Sequence, residues 1–267
     1  MRLGVGSGPP NQESVARALD LLDDEEGIAG SRPPHRAVSA RFAGLVVAHG
    51  PRDVDAVALT FDDGPGTVTP AILTILRDRG ARATFNVLGA RVRHGAPLVR
   101  RAVADGHELG VHGWRHRDLS RDPVRAWAEI SRASATIRAV SGVVPRVFRP
   151  PLGATSHLLA LAARAAGLVT VTWDVDPRDF SEPGAETIRE RVAAGVRPGS
   201  IVLLHDDRPG LLATAVALDC ILDDLAERGL ATVTSSRLLA VERSRDEGVI
   251  PRSLRTSSAQ AWKRPPA

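Results

Sequence analysis

Seven short apolar runs, most of them separated by longer segments with helical periodicity, constrain the fold of this chain more than any other feature. The runs cover residues 56–61, 82–88, 107–112, 146–149, 168–173, 200–205 and 230–234. Strands that alternate with helices form parallel βαβ units, so this order predicts an α/β fold. The alternation leaves two architectures open, a doubly wound sheet and a closed barrel. Both collect their loops at the carboxyl ends of the strands.

Four of the intervening segments carry clear helix signals. Segments 68–79, 157–166 and 211–228 each end just before a glycine, and segment 123–142 ends on one. Glycine is the residue that most readily takes the left-handed conformation that ends a helix. Asp122 stands as an N-cap before the second of these segments, with proline in its first turn.

The length of 267 residues suits one domain of the larger α/β kind. Residues 1–50 differ from the remainder, because glycine and proline cluster around a short amphipathic stretch that contains Val15, Leu19 and Leu22. We therefore predict an N-terminal arm over 1–50, poorly ordered or with one short helix. A single domain over 51–240 and a polar C-terminal tail over 241–267 complete the predicted organisation.

Composition argues against several classes of protein. The net charge is +4, but the arginines are spread among acids and form no stripe with interleaved aromatics, which argues against a nucleic-acid partner. Cys220 is the only cysteine and lies in an apolar pattern, so we expect a buried thiol and neither a disulfide nor a Cys-rich zinc site. No run approaches the roughly 18 apolar residues of a membrane span.

The N-terminal residues also lack the apolar region of a secretory signal. As written, the sequence predicts a cytoplasmic protein. A true start upstream would make it extracytoplasmic.

The first apolar run ends in the sequence TFDDGP at residues 60–65, which places Asp62 and Asp63 side by side at a strand end. Catalytic groups collect at this edge of α/β sheets, because the loop aims side chains whose backbone the strand holds. Two adjacent carboxylates stay ionised together when a positive group lies nearby. The alternative is an ordinary turn, since Asp, Gly and Pro all form turns.

Two histidines follow the third run. His112 and His116 are four positions apart, a spacing that lets two imidazoles converge on one ion. Imidazole and carboxylate are the usual ligands of a catalytic zinc. The alternative is that the pair binds no metal, but its position at another strand end, like that of the Asp pair, favours a shared site.

Three more groups lie at strand ends. Arg149, before two prolines, has a guanidinium that can fork onto a carboxylate and hold it ionised. His205 closes the sixth run, and three acids follow the fifth, namely Asp174, Asp176 and Asp179. Each group also has a non-functional interpretation when it is considered alone. Arg149 could be a surface arginine, His205 a buried core histidine, and the three acids solvent-exposed loop residues.

Taken together, these motifs resemble the polysaccharide deacetylase family, the NodB-homology or carbohydrate esterase family 4 domain. TFDDGP, the HxxxH pair, the RPPxG motif at 149–153, the DxxD-aromatic stretch at 176–180 and the final LxH at 203–205 occur in the family's order. The resemblance covers about residues 54–240 and implies a distorted (β/α)7 barrel. It also implies metal-dependent hydrolysis that releases acetate from an N-acetylated or O-acetylated carbohydrate.

The resemblance implies a role for each group at the site. Asp63, His112 and His116 correspond to the ligands of a divalent metal, zinc in the first place with cobalt or manganese as alternatives. Asp62 corresponds to the general base that deprotonates the attacking water, and Arg149 would position it.

The leaving-group side of the site follows from the same resemblance. His205 corresponds to the general acid, kept protonated by Asp179 with help from Arg82. The backbone N–H of Leu152 would stabilise the oxyanion. Leu203 and Phe180 belong to the substrate pocket.

Three residues depart from the family pattern. Gly113 stands where Ser or Thr usually braces the histidine loop, Leu152 replaces an aromatic residue, and Phe180 replaces tryptophan. These changes motivate the alternative of a catalytically weak, carbohydrate-binding relative. An aspartyl phosphatase with Asp62 as nucleophile is a third hypothesis, which leaves all three histidines of the motifs without a role.

The substrate expected from the family is an acetylated carbohydrate, most of all one that contains GlcNAc, and we expect a monomer. Aromatic residues make up 3% of the chain and tyrosine is absent, so few rings are present to stack on a long glycan. This scarcity favours a short oligosaccharide or a small precursor.

Overall fold

The computed structural model describes the backbone of residues 44–246 and the side chains of residues 44–240. The amphipathic stretch predicted within the N-terminal arm lies outside this range, as do tail residues 247–267. The element bounds below all belong to the described residues.

Eight strands form one sheet in which every strand pairing is parallel. Their order across the sheet is β1-β6-β5-β4-β3-β2-β7, and β8 pairs with β2 beside this path. The strands are β1 Val46–Val47, β2 Ala56–Asp62, β3 Ala83–Val87, β4 Glu108–Val111, β5 Val147–Phe148, β6 Val169–Val171, β7 Ile201–His205 and β8 Ala231–Thr232.

The sheet curls until its two edges meet. Val175, just beyond β6, forms a parallel bridge with Val202 of the edge strand β7. The N–H of Leu203 also donates to the carbonyl of Val175, with 2.9 Å between nitrogen and oxygen. Because single bridges replace a full ladder at this seam, the barrel is distorted. The predicted α/β barrel is thereby confirmed.

Helices connect most of the strands. Four of them match the predicted segments to within one residue at each end, because periodic apolar residues and glycine stops both marked them. The helices are α1 Thr69–Asp78, α2 Gly89–Val92, α3 Ala96–Ala104, α4 Pro123–Ser141, α5 His157–Ala165, α6 Ala185–Gly195, α7 Leu212–Glu227 and α8 Ser235–Asp246.

The core has two parts because side chains alternate along each strand. On β2, Val57, Leu59 and Phe61 pack with the apolar faces of the helices. Ala58 belongs instead to a second, smaller cluster that includes Ile201 of β7 and Leu238 of α8. Helix α8 thus packs Leu238 against the inward face of the sheet. The side chain of Asp62 lies on that same inward face.

Two described elements extend past the predicted domain bounds, and one burial prediction is wrong. Strand β1 lies inside the predicted arm over 1–50 and pairs with β6, so the domain begins before residue 51. Helix α8 continues to Asp246, beyond the predicted domain end at 240. Cys220 is exposed, because the buried face of α7 carries Leu218, Ile221 and Leu222 and the thiol lies outside it.

None of the helices in the described part of the chain has the length and apolar character needed to cross a bilayer.

The cap of α4 gives a test of the helix assignment. The carboxylate of Asp122 accepts hydrogen bonds from the backbone nitrogens of Val124 and Arg125 at 3.1 and 3.0 Å. Asp122→Ala leaves these N–H groups to water, so we expect the free energy of unfolding to fall by about 1 kcal/mol. Urea denaturation measures this change. Glu190→Ala, at an exposed position of α6, serves as the control, and equal stability of the two variants would contradict the assigned cap.

Candidate metal and catalytic site

Polar side chains from three neighbouring strands meet at the carboxyl end of the sheet. Asp62 at the end of β2 is in register with Asn86 of β3 on one side and with His205 of β7 on the other. All three residues are buried. Side chains at paired positions of parallel strands lie on the same face, so the sheet itself brings these groups together.

Arg149 supplies the positive charge that the sequence required near the Asp pair. Its side chain is fully buried, and its guanidinium donates to Asp62 Oδ1 at 2.9 Å and to Thr60 Oγ1 at 2.5 Å. It also donates to the carbonyls of Val171 and Thr172, at 3.4 and 2.9 Å. The predicted Arg149–Asp62 pair is therefore present, and three further hydrogen bonds hold the guanidinium in place.

The pKa of Asp62 reflects opposing effects. Burial raises it, but the charges of Arg149, His112 and His205 and a hydrogen bond from Asn86 outweigh burial, so that the pKa lies below the usual range of an aspartate. Asp62 is therefore ionised at neutral pH and able to accept a proton.

Asn86 is a site residue that the motif comparison missed. Its amide nitrogen donates to Asp62 Oδ1 at 2.8 Å, the same oxygen that Arg149 holds. Asp62 Oδ2 lies on the other side, 3.9 Å from His112 Nε2. A Cβ at Gly110 would lie 2.2 Å from the Asn86 side-chain oxygen, so glycine in β4 leaves the room for this amide. An amide inside a largely apolar strand was the available signal.

Asp63 turns its carboxylate toward the two histidines. Its backbone has φ of 74°, in the left-handed region that non-glycine residues seldom adopt. Asp63 Oδ1 lies 3.3 Å from His112 Nε2 and 3.3 Å from His116 Nε2. The three predicted ligand residues therefore offer donor atoms within 4.8 Å of one another.

The tautomer of His112 tests whether these residues fit a cation. His112 Nδ1 lies 2.8 Å from the carbonyl oxygen of Arg149. A carbonyl only accepts, so Nδ1 carries the hydrogen, and in the neutral ring Nε2 presents a lone pair. Nε2 is buried, makes no hydrogen bond among the described residues and faces the carboxylate of Asp63. Two facing lone pairs repel unless a positive charge lies between them.

The spacing of the donor atoms agrees with this argument. Two ligands that each lie about 2.1 Å from an ion at a tetrahedral angle are about 3.4 Å apart. Both observed distances from Asp63 Oδ1 are 3.3 Å. Burial raises the pKa of Asp63, but the interactions of its carboxylate with His112, His116 and His205 outweigh burial and hold the pKa far below the usual range. The donor set of one carboxylate and two imidazoles fits a divalent ion.

His205 and Asp179 form a second buried pair. His205 Nδ1 lies 2.7 Å from Asp179 Oδ1, and the backbone N–H of His205 donates to Asp179 Oδ2 at 2.8 Å. Thr214 of α7 also donates to Asp179 Oδ2, at 3.0 Å. Burial lowers the pKa of His205, but the Asp179 carboxylate outweighs it, so the pKa is raised above the ordinary value.

The other predicted pocket residues lie at the same edge. The Phe180 ring stands edge-on to His205 with 5.8 Å between centroids. Leu203 lies two positions before His205 on β7 and is buried. Leu152 lies in the short turn Pro151–Gly153 after β5, with φ of 62°. The structure therefore brings all these residues to the carboxyl edge.

Arg82 is the exception, and its predicted role beside Asp179 is wrong. The residue immediately precedes β3 and therefore lies at the amino end of that strand, opposite the site. Its guanidinium donates to the carbonyl of Ala81, and burial together with the charge of Arg82 lowers the pKa of His107. Thr214 occupies the supporting position next to Asp179 that the sequence analysis had assigned to Arg82.

Residues 49–171 match the family model described as polysaccharide deacetylase. A chitooligosaccharide deacetylase from a Bradyrhizobium strain is 46% identical over 158 residues, which cover 58% of this chain and 72% of the relative.

Two solved structures have the same fold. A peptidoglycan N-acetylglucosamine deacetylase, solved with a benzamide ligand, has a TM-score of 0.74 and 28% identity, covering 76% of this chain and 98% of its own. A CE4 family pseudoenzyme from Bacillus anthracis has a TM-score of 0.68 and 26% identity, covering 72% of this chain and 68% of its own.

The metal assignment predicts a measurable binding stoichiometry. We expect the purified protein, loaded with zinc and then desalted, to retain close to one equivalent, because three donor atoms converge on one point. A His112→Ala, His116→Ala double variant should retain little. Elemental analysis of both proteins gives the comparison, with His157→Ala, a partly exposed histidine of α5, as the control. Equal zinc content in wild type and double variant would refute the assignment.

Proposed function

This chain belongs to the polysaccharide deacetylase family, and on that premise we propose that it hydrolyses the N-acetyl group of a GlcNAc-containing carbohydrate and releases acetate. One observation carries the proposal above all. The buried Asp62, with one oxygen fixed by Arg149 and Asn86, stands beside a donor set that fits a divalent ion and on the strand next to His205. A base, a metal site and an acid therefore share one edge of the sheet.

The proposed metal is a divalent ion held by Asp63, His112 and His116, and zinc is the ion that we expect. An ion held there would supply Lewis acidity toward the acetyl carbonyl and toward the attacking water. The carbonyl of Arg149 fixes the orientation of one imidazole through His112 Nδ1.

Asp62 is the proposed general base. Oδ1 already accepts two hydrogen bonds, so Oδ2, which lies toward His112, is the oxygen that accepts the proton of the attacking water. The low pKa of Asp62 keeps it ionised for this step. Water adds to the acetyl carbon, and the backbone N–H of Leu152 is the proposed donor to the resulting oxyanion.

His205 is the proposed general acid. Asp179 holds Nδ1, which leaves the Nε2 hydrogen as the proton for the departing nitrogen. The carbon–nitrogen bond breaks, the amine takes this proton, and acetate forms from the acetyl group and the water oxygen. The raised pKa of His205 provides the protonated imidazole that this step consumes.

The proposed substrate is a short GlcNAc oligomer, with a peptidoglycan fragment as the second candidate. The relative with 46% identity is a chitooligosaccharide deacetylase, and the small number of aromatic residues favours a short chain over a polymer. Acetate release from a panel of GlcNAc oligomers, peptidoglycan fragments and acetylxylan, with and without chelator, tests both activity and substrate.

The second candidate function is a catalytically weak carbohydrate-binding protein. The substitutions at Gly113, Leu152 and Phe180 and the similarity to a pseudoenzyme motivate it. Binding of the sugars without acetate release, in protein that holds its metal, would favour this candidate.

The role of Asp62 predicts a separation of metal binding from turnover. Asp62→Asn removes the base and keeps the metal ligands, so we expect kcat to fall by roughly a hundredfold to ten-thousandfold with zinc content unchanged. Steady-state kinetics and elemental analysis measure the two quantities. Asp224→Asn, which removes an ion pair on α7 away from the site, controls for a general effect of losing a carboxylate. Turnover near that of the wild type would mean that Asp62 is not the base.

The role of Asp179 predicts a shift in pH dependence. The acid form of His205 is the active form, so activity falls as pH rises through the pKa of His205. Asp179 raises that pKa, and Asp179→Asn should therefore move the alkaline limb of the kcat/KM profile to lower pH. Asp176→Asn, in the same loop, should leave the limb in place. An unchanged or higher limb in Asp179→Asn would refute the tuning role.

A further inference from the structure

The loop between the two histidines has no side-chain hydroxyl to brace it. Gly113 follows His112 directly and adopts φ of 79°, in the left-handed region. Two backbone hydrogen bonds tie the loop to α2, from Gly89 N to Gly113 O and from Ala90 N to Trp114 O, each 3.0 Å long. These bonds fix the backbone carbonyls of Gly113 and Trp114. The backbone N–H groups of Trp114 and Arg115 have a different partner.

Those N–H groups point at a buried acid on α4. Glu129 is 5% exposed, and its Oε2 lies 3.3 Å from the backbone nitrogen of Trp114 and 3.4 Å from that of Arg115. Its other oxygen lies 3.4 Å from Nε of Arg125, one turn earlier on the helix. Each of these contacts is longer than an ideal hydrogen bond. Three N–H donors nevertheless converge on the one buried carboxylate of Glu129.

The same helix also contacts the loop through Trp114. The guanidinium of Arg132 lies 3.7 Å from the centroid of the Trp114 ring. The ring packs against Gly89 of α2 so closely that a Cβ at that glycine would lie 2.5 Å from it. Helix α4 therefore contacts the loop twice, through Glu129 at the loop backbone and through Arg132 at the Trp114 side chain.

We propose that Glu129 is a positioning residue that fixes the backbone between the two histidines and so sets the separation of His112 Nε2 and His116 Nε2. The proposal rests on the proposed metal site. His112 is also held at the carbonyl of Arg149, and the backbone of His116 directly follows the two N–H groups from which Glu129 accepts. Loss of the Glu129 contacts therefore displaces His116 relative to Asp63. Glu129 takes the place of the Ser or Thr that Gly113 lacks.

The first experiment measures zinc affinity by competition with a chromophoric chelator. Glu129→Ala leaves both N–H groups without their acceptor, and we expect its dissociation constant for zinc to rise about 10- to 100-fold, the usual effect of losing an outer partner of a ligand. Glu129→Gln retains a carbonyl oxygen at the same reach and should lose much less affinity. Glu190→Ala, at an exposed position of α6, should bind zinc as the wild type does.

A second measurement separates positioning from a general loss of stability. Hydrogen exchange of the peptide that contains residues 113–116, followed in the metal-free protein, should be faster in Glu129→Ala than in the wild type. Exchange in β2 and β7 should not change. If Glu129→Ala does not fold, Glu129→Asp replaces it, because the shorter side chain keeps the charge and loses the reach. We then expect zinc affinity to decrease from the wild type to Glu129→Gln and further to Glu129→Asp.

Three outcomes would overturn the proposal. They are wild-type zinc affinity in folded Glu129→Ala, an affinity of Glu129→Asp above that of Glu129→Gln, and unchanged exchange of the loop. The exchange measurement uses no metal and no substrate. A wild-type protein that binds no zinc would therefore refute the proposed metal site, while the loop measurement would still test Glu129 by itself.

Discussion

The site depends on the burial of Arg149. A guanidinium with no exposure to solvent needs a counter-charge and acceptors for its remaining donors, and the structure provides Asp62, Thr60 and two strand carbonyls. Removal of one partner from such a buried pair typically costs on the order of 3–5 kcal/mol, because it leaves the other charge uncompensated. The backbone carbonyl of Arg149 also orients His112. One residue thus fixes the proposed base through its side chain and a proposed metal ligand through its backbone.

The proposed base, Asp62, and the proposed acid, His205, face opposite requirements, and their surroundings meet both. Asp62 must be ionised before the reaction, and the surrounding positive groups lower its pKa despite burial. His205 must be protonated, and Asp179 raises its pKa despite burial. Because Asp62 and His205 are in register on adjacent strands, these opposite shifts occur side by side. An isolated buried carboxyl or imidazole would be driven toward its neutral form instead.

The parts of the fold and site that sequence predicted are those fixed by local chemistry. Apolar periodicity and glycine stops located α4 and the long strands, and the motifs located Asp62 and the three ligand candidates. Asn86 and Glu129 escaped because each acts through a neighbour that is distant in sequence, Asp62 in one case and the Trp114 backbone in the other. Asn86 was nonetheless visible as an amide in the largely apolar strand β3, whereas Glu129 lies among other polar residues of α4 and gave no comparable signal. Arg82 was misplaced because a residue that begins a strand lies at the opposite edge from one that ends it.

Strand geometry also explains how two adjacent acids take different partners. Asp62 keeps the extended conformation of β2, so its side chain follows the inward alternation toward Arg149 and Asn86. Asp63 has φ of 74°, which breaks the alternation and turns its carboxylate toward His112 and His116. A regular strand would send Asp63 to the outward face, among the helices. The left-handed conformation of Asp63, which costs of order 1–3 kcal/mol, therefore allows a proposed base and a proposed metal ligand to stand at consecutive positions.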